Sequence, residues 1–256
     1  MFKLASWNVN SLRVRLEQVL QWLEQEQPDV LAVQETKLPD GDFPLVAIEA
    51  AGYHALYSGQ KTYNGVALLS RSPGELLATG FPGYEDPQKR VLCAAYGDTV
   101  VLNLYVPNGA EVGSDKYAYK LDWLGRLQDY LQQLLQERPR CLVTGDFNIA
   151  PADEDVYDPE AWRGKVLCSE PERAAFQALI RSGLSDCFRL FPREEPQYTW
   201  WDYRAAGFRR NHGLRIDHIL ASAALSGRCR DCRIDVAPRR LERPSDHTPI
   251  VAEFDL

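Results

Sequence analysis

The stretch that most limits what this chain can become is Cys141-Leu142-Val143-Thr144-Gly145-Asp146-Phe147-Asn148. A short apolar, β-branched run set between Pro139 and Pro151 reads as a fully buried strand, of the kind that fills the interior of a layered α/β fold. It closes on an acid and an amide. On an extended chain Asp146 and Asn148 lie two apart, so both side chains leave one face at the strand end, where a rigid sheet meets a loop. Taken alone, residues 145–148 are equally a polar turn, because Gly, Asp and Asn are the usual turn residues. The choice between the two rests on whether other strand ends carry the same residue types.

They do. Residues 3–10 alternate like a strand and finish on Asn8 and Asn10, and Leu16, Val19, Leu20 and Leu23 then recur at helical spacing until Pro28. Residues 29–36 form a second buried run, closed by Glu35. Residues 65–70, 90–96 and 99–106 read as three further strands, close enough in sequence to be antiparallel neighbours, with Tyr105 at the end of the third. Leu124, Leu127, Leu131, Leu134 and Leu135 mark one stripe of a long helix leading into the Asp146 strand, and residues 171–182 mark a shorter helix. Residues 214–220 read as a strand with Asp217 inside it. A buried carboxylate there needs a partner, for which a His is the natural choice. Finally, Asp246-His247 lies in a loop before an edge-like strand at residues 250–254.

At 256 residues, with no linker-like or charge-block segment, the chain is expected to form one domain, residues 1–256. It has no apolar run long enough to cross a bilayer and no secretory signal pattern, so no membrane association and a cytoplasmic location are expected. The six cysteines are scattered, which suits a reducing compartment; Cys229-x-x-Cys232 lacks the second pair or His set of a zinc site and reads as a loop spacing. Net charge is −7, which argues against a polyanionic partner. Its distribution does not, since residues 201–256 hold ten Arg against eight acids and the other 200 residues carry −9. Trp200 and Trp201 followed by Arg204, Arg209, Arg210 and Asn211 form the kind of aromatic and basic stretch that meets an unstacked nucleotide, although paired Trp also serve as core.

Asn8, Glu35, Tyr105, Asp146, Asn148, Asp217, Asp246 and His247 make a set of acids, amides, one phenol and one His, with no Cys ligand and no Ser nucleophile. That donor set suits a hard divalent ion, Mg²⁺ or Mn²⁺, and hydrolysis of a phosphate ester. Trp7-Asn8-Val9-Asn10, Gln34-Glu35-Thr36-Lys37, Gly59-Gln60-Lys61 with Gly65-Val66-Ala67, Gly145-Asp146-Phe147-Asn148, Trp201-Asp202-Tyr203-Arg204, Gly213-Leu214-Arg215-Ile216-Asp217 and Ser245-Asp246-His247 together resemble the ordered motifs of the exonuclease III family of apurinic/apyrimidinic endonucleases. The resemblance spans nearly the whole chain.

It implies a four-layer α/β sandwich of two central mixed sheets flanked by helices. It also implies that Glu35 is the principal metal ligand, with Asn8 and Asp246 near the same ion. Asp146 would position and deprotonate the attacking water, held by Asn148, with both residues close to the metal. His247, oriented by Asp217, and Tyr105 would contact the scissile phosphate. The implied partner is double-stranded DNA, cut 5′ to abasic sites or trimmed at 3′ ends by a monomer. Trp200, Leu214 and Ile216 would line an apolar pocket for a base-less sugar, and Arg90, Asn108, Trp201 and Asn211 would contact the DNA backbone. In relatives the segment 162–170 borders that pocket, and bulk from Leu167 would favour 3′-end processing with little abasic-site incision. The competing readings are a non-catalytic nucleic-acid-binding regulator on the same fold and a phosphatase for small phosphates or lipids.

Overall fold

A computed structural model describes residues 1–256. Its strands are β1 (Phe2–Asn8), β2 (Val30–Gln34), β3 (His54–Ser58), β4 (Val66–Ser70), β5 (Glu75–Ala78), β6 (Val91–Tyr96), β7 (Thr99–Tyr105), β8 (Cys141–Asp146), β9 (Leu184–Asp186), β10 (Trp200–Trp201), β11 (Gly213–Leu214), β12 (Asp217–Ser222), β13 (Cys229–Ile234) and β14 (Ile250–Phe254). The helices that matter here are α1 (Leu12–Glu26), α2 (Leu45–Ala50), α3 (Asp115–Glu137), α4 (Pro159–Trp162) and α5 (Glu170–Arg181). None is long and apolar enough to cross a membrane.

The strands form two six-stranded sheets, ordered β13-β14-β1-β2-β4-β3 and β5-β6-β7-β8-β12-β9, with β10 and β11 pairing separately. In each sheet one central pair is parallel, β1 with β2 and β7 with β8; every other pairing is antiparallel. A parallel pair needs a crossover, which α1 supplies in the first sheet and α3 in the second. Because side chains alternate across a strand, each sheet has a helix-facing set and a sheet-facing set. Ala5, Trp7, Leu31 and Val33 pack with Leu12, Val19 and Leu23 of α1, and Val100, Leu102, Leu104 and Val143 pack with Leu124, Leu127 and Leu131 of α3 and Phe176 of α5. Leu4, Val30, Ala32, Val101, Leu142, Ile219 and Ala221 meet between the sheets. Three apolar layers thus alternate with the backbone layers, which is the four-layer α/β sandwich.

The structure changes four local expectations. The strand expected over residues 214–220 is broken: β11 ends at Leu214 and β12 begins at Asp217, because Arg215 turns away into a buried ion network. Residues 250–254 are interior, with β14 paired on both sides by β1 and β13. The run 65–70 is not a neighbour of the other two strands read with it. It forms β4 in the first sheet, while β6 and β7 make a hairpin in the second. The Cys-x-x-Cys lies on β13 rather than in a loop; all six cysteines are free and buried, so these thiols act as small core residues.

Beneath the strand ends lies a largely buried charged network, reached from the surface by Arg189, which bonds to Asp155. Arg215, 1 % exposed, donates from Nε to Asp155 (2.7 Å) and from Nη2 to Asp186 (2.7 Å). Its Nη1 faces Nδ1 of the buried His218 at 3.0 Å, while Nε2 of that ring meets the Ile149 carbonyl at 2.9 Å. A guanidinium can only donate and a carbonyl can only accept, so His218 is the neutral tautomer that donates from Nε2 and accepts at Nδ1. Burial, followed by the Arg215 charge, pushes its pKa down to about 4.

Two outcomes follow from this packing. Gly145 has φ +139°, and a Cβ there would lie 1.9 Å from the Leu104 carbonyl oxygen on the neighbouring strand. Gly145→Ala is therefore expected to destabilise the protein by more than about 3 kcal/mol, read as a loss in thermal unfolding temperature. For His218, the unfolded chain binds a proton between pH 6.5 and 4 that the folded chain refuses, so stability falls as pH drops through that window. Denaturant titrations should show the wild type losing about 2 kcal/mol more than His218→Gln between pH 6.5 and pH 5; equal losses would mean that the ring is not held neutral.

Candidate active site

Tyr105, Asp146 and Asp217 stand side by side at one edge of the second sheet, because the registers of β7, β8 and β12 pair Tyr105 with Asp146 and Asp146 with Asp217. Asn8 ends β1 in the opposite sheet, aligned with Gln34. Its Nδ2 donates to Asp146 Oδ2 at 2.8 Å and to Glu35 Oε1 at 2.9 Å, so one amide joins the two sheets. Glu35 follows β2 with φ +53°, outside strand geometry. Its other oxygen takes the Lys37 ammonium at 2.9 Å, and Lys37 also reaches Asn10 Oδ1 at 2.5 Å. Asn10 Nδ2 in turn donates to Asp246 Oδ1 (2.9 Å), and Trp200 Nε1 donates to Asp246 Oδ2 (3.0 Å).

Asn148 does not reach the site by strand alternation, as the sequence pattern suggested. The strand stops at Asp146 and Asn148 adopts φ +49°. Its backbone N–H caps Asp146 Oδ1 (2.9 Å), its Nδ2 donates to the Val106 carbonyl (3.0 Å), and its Oδ1 accepts from Asn108 Nδ2 (3.0 Å). A tight turn of the type Asp side chains stabilise thus places the amide beside the acid.

The imidazole sits between two carboxylates. His247 Nδ1 is 2.8 Å from Asp217 Oδ2, and Nε2 is 3.7 Å from Asp146 Oδ2, with the three groups within 4.8 Å of one another. Burial alone would lower the His247 pKa, but the charges of Asp217 and then Asp146 outweigh it and raise it to about 10. Burial pushes the Asp146 carboxyl up to about 7, against the opposing pull of His247. Asp246 is also pushed up by burial, yet His247 and the bonds from Trp200 and Asn10 leave it below the ordinary carboxylate range. Burial, with the Glu35 and Asp146 charges behind it, keeps Tyr105 a neutral phenol. The site therefore brings together a carboxyl poised near neutral pH, a protonated imidazole and a neutral phenol.

Glu35, Asp146, Asp217 and Asp246 carry four negative charges when ionised, against Lys37 and a protonated His247. Two negative charges are left over, Asp217 Oδ1 is buried without a hydrogen-bond partner, and the ligand atoms on offer are carboxylate and amide oxygens with no thiol among them. Such a set fits one hard divalent cation.

The residues expected to touch DNA divide into two groups. Asn108 and Asn211 are exposed at the rim, Trp200 is half-buried, and Arg90 lies over the Tyr105 ring at 4.5 Å while donating to the Tyr105 carbonyl at 3.0 Å. Trp201 is not a surface contact: it is 2 % exposed, and its Nε1 donates to Asn211 Oδ1 at 3.1 Å, shaping the loop that follows. Leu214 (0 % exposed) and Ile216 (1 %) do not line an open pocket; they pack under Ala150, Val156, Leu167 and Cys168. The basic excess of residues 201–256 is also dispersed, with Arg215 in its buried network, Arg230 on Asp255 and Arg233 on Glu26, while Arg204, Arg209 and Arg210 remain exposed. Sequence reasoning missed the bridging parts played by Asn10 and Lys37, although both lie inside motifs already noted, and missed Lys120 and Glu172 altogether.

Comparison with known proteins gives the family. Residues 5–247 match the endonuclease/exonuclease/phosphatase family. The chain is 40% identical over 265 residues to exodeoxyribonuclease III of Haemophilus influenzae, covering 98% of this chain and 99% of that one, and 33% identical over 254 residues to an exodeoxyribonuclease of Bacillus subtilis, covering 97% of each. Among solved structures it superposes with a TM-score of 0.98 and 46% identity on the 3′ phosphatase NExo from Neisseria bound to a product DNA hairpin, and with 0.96 and 40% on an AP endonuclease from Archaeoglobus fulgidus, each match covering 100% of both chains. The chain belongs to the endonuclease/exonuclease/phosphatase family, within its exonuclease III branch.

Proposed function

We propose that this protein is a metal-dependent DNA-repair hydrolase of duplex DNA, cleaving 5′ to abasic sites and removing nucleotides or blocking groups from 3′ ends. The observation that carries the proposal is the arrangement Asp217–His247–Asp146, with Asn148 and Asn8 both bonded to Asp146. Asp146 takes the proton of a water lined up behind the scissile phosphorus. As the new P–O bond forms, the P–O3′ bond opposite it breaks; the departing oxygen takes up a proton from solvent and leaves as a 3′-hydroxyl, while Asp146 gives its proton back to solvent. Burial lifts this carboxyl towards neutrality, which suits a base that must accept a proton and release it again. His247, held as a cation by Asp217, donates to a nonbridging oxygen, and the Tyr105 hydroxyl and the Asn148 amide face the same group. Glu35, Asp246 and Asn8 would hold the divalent ion, Mg²⁺ or Mn²⁺, whose chemistry when bound is neutralisation of charge on the phosphoryl oxygens. The chain acts in this reading as a single domain, residues 1–256, as a monomer in the cytoplasm, with Arg90, Asn108 and Asn211 against the DNA backbone.

A second reading, a 3′-end-processing enzyme with little incision at internal abasic sites, is favoured by one feature. Leu167, at φ +75°, covers Leu214 and Ile216 where a flipped base-less sugar would enter. A regulator without catalysis is disfavoured because every acid and the imidazole are present.

One assay separates these readings: a 5′-labelled abasic duplex and a 3′-phosphate duplex, each with Mg²⁺ and with chelator. The wild type should process DNA only with the metal, and Asp146→Asn should be slower by about a hundredfold or more. Equal turnover of a small soluble phosphomonoester, without gain from the duplex, would sink the DNA reading. Leu167→Gly, which removes both the bulk and the positive-φ strain, should raise abasic incision about tenfold relative to 3′-phosphate removal; an unchanged ratio would show that the pocket is already open.

A further inference from the structure

Lys120 occupies a core position of α3, in line with Tyr117, Leu124 and Leu127, and its side chain is wholly buried, as is that of Glu172 on α5. A buried ammonium is costly unless every donor is paired. Here each one is: Lys120 Nζ donates to the Glu172 carboxylate, to the Asn148 carbonyl at 2.6 Å and to the Asn108 carbonyl at 3.1 Å. The side chains of those two asparagines also bond to each other, at 3.0 Å. Glu172 is as fully used. Its Oε1 accepts the Leu167 N–H at 3.0 Å, and its Oε2 accepts the Ser169 N–H at 3.1 Å and the Ser169 hydroxyl at 2.5 Å. Tyr117, back on α3, closes the circle through a 2.6 Å bond to the Ser169 hydroxyl.

One side of the pair thus grips the main chain at Asn108 and Asn148, and the other grips the main chain of the segment packed with Leu214 and Ile216. The bonds from Ser169 to Glu172 are the capping box of α5 and need no further reason. The Leu167 N–H and the carbonyls of Asn108 and Asn148 are contacts that neither a helix cap nor packing requires, since apolar residues of similar volume stabilise a core as well or better. We propose that Lys120 and Glu172 are positioning residues that lock residues 167–169 to Asn108 and Asn148, so that the pocket wall and the phosphate-facing amides hold one geometry together. The proposal rests on the DNA-hydrolase reading above for its kinetic consequences, and its structural content stands apart from it.

Glu172→Gln is nearly isosteric and touches Asn148 only through Lys120, which makes it the decisive variant. Steady-state kinetics on the 3′-phosphate duplex should show kcat reduced about tenfold with KM little changed, and the ratio of abasic to 3′-phosphate rates should shift by a similar factor. Hydrogen exchange on the free protein should show the amides of Leu167, Ser169 and Asn148 losing protection together. The double variant Lys120→Met/Glu172→Met, which replaces the pair by apolar side chains, should regain most of the thermal stability lost in Lys120→Met but not its kcat. A wild-type kcat and an unchanged Asn148 amide in Glu172→Gln would overturn the proposal, as would recovery of kcat with stability in the double variant. A wild type inert on both duplexes would end the functional reading, while the exchange pattern would still decide the coupling.

Discussion

The structure depends on polar groups buried between two sheets and bonded to one another and to the main chain. Along the inward faces of the central strands the residues run from apolar to amide or hydroxyl to functional group: Leu4, Ser6, Asn8 on β1; Val101, Asn103, Tyr105 on β7; Leu142, Thr144, Asp146 on β8. In the middle layer Gln34 Nε2 donates to Asn103 Oδ1 at 2.7 Å and to Ser6 Oγ at 3.0 Å, and Asn103 Nδ2 returns to the carbonyls of Val33 and Ala67. An apolar interface tolerates small slips; an amide left unpaired by a slip costs about 1–3 kcal/mol. The amide layer therefore sets the offset between the sheets, and with it the 2.8 Å contact between Asn8 and Asp146.

The two histidines near the site show how surroundings decide the state of one side chain. His218 faces a guanidinium and a carbonyl, so its second proton has nowhere favourable to go. His247 faces two carboxylates and holds that proton firmly. Both are buried, and burial opposes the charge in each; the sign of the neighbouring charge makes the difference. The Arg215 network is framework, whereas the His247 cluster gathers the acids and amides of the site, where in the proposed reaction groups held out of water act on a phosphate more strongly than they would in solvent.

Around that cluster the walls come from long-range loops. The Asp246 segment is bonded to Trp200, the Asn148 turn to Asn108, and residues 167–169 to Glu172. The first two bonds span 46 and 40 residues, and the third is local but tied to the Asn148 turn through Lys120, 52 residues from Glu172, so in the proposed reaction access to the phosphate depends on loop packing more than on the sheet.

The amino-acid sequence by itself determined the strands and helices that carry the site and which strand ends bear acids, because alternation and helical spacing are local properties of a chain in water. It marked Asn8, Glu35, Tyr105, Asp146, Asp217 and His247 as one set of chemical types. Only the tertiary structure decided that Asn148 arrives by a turn, that β14 is interior, that Trp201, Leu214 and Ile216 are buried, and that Lys120 and Glu172 meet across 52 residues of chain. The lysine on an apolar helical stripe was a visible irregularity, yet its partner was not. Pairing between distant segments depends on how sheets and loops stack, and that is settled by the mutual satisfaction of buried groups rather than by any neighbourhood in the sequence.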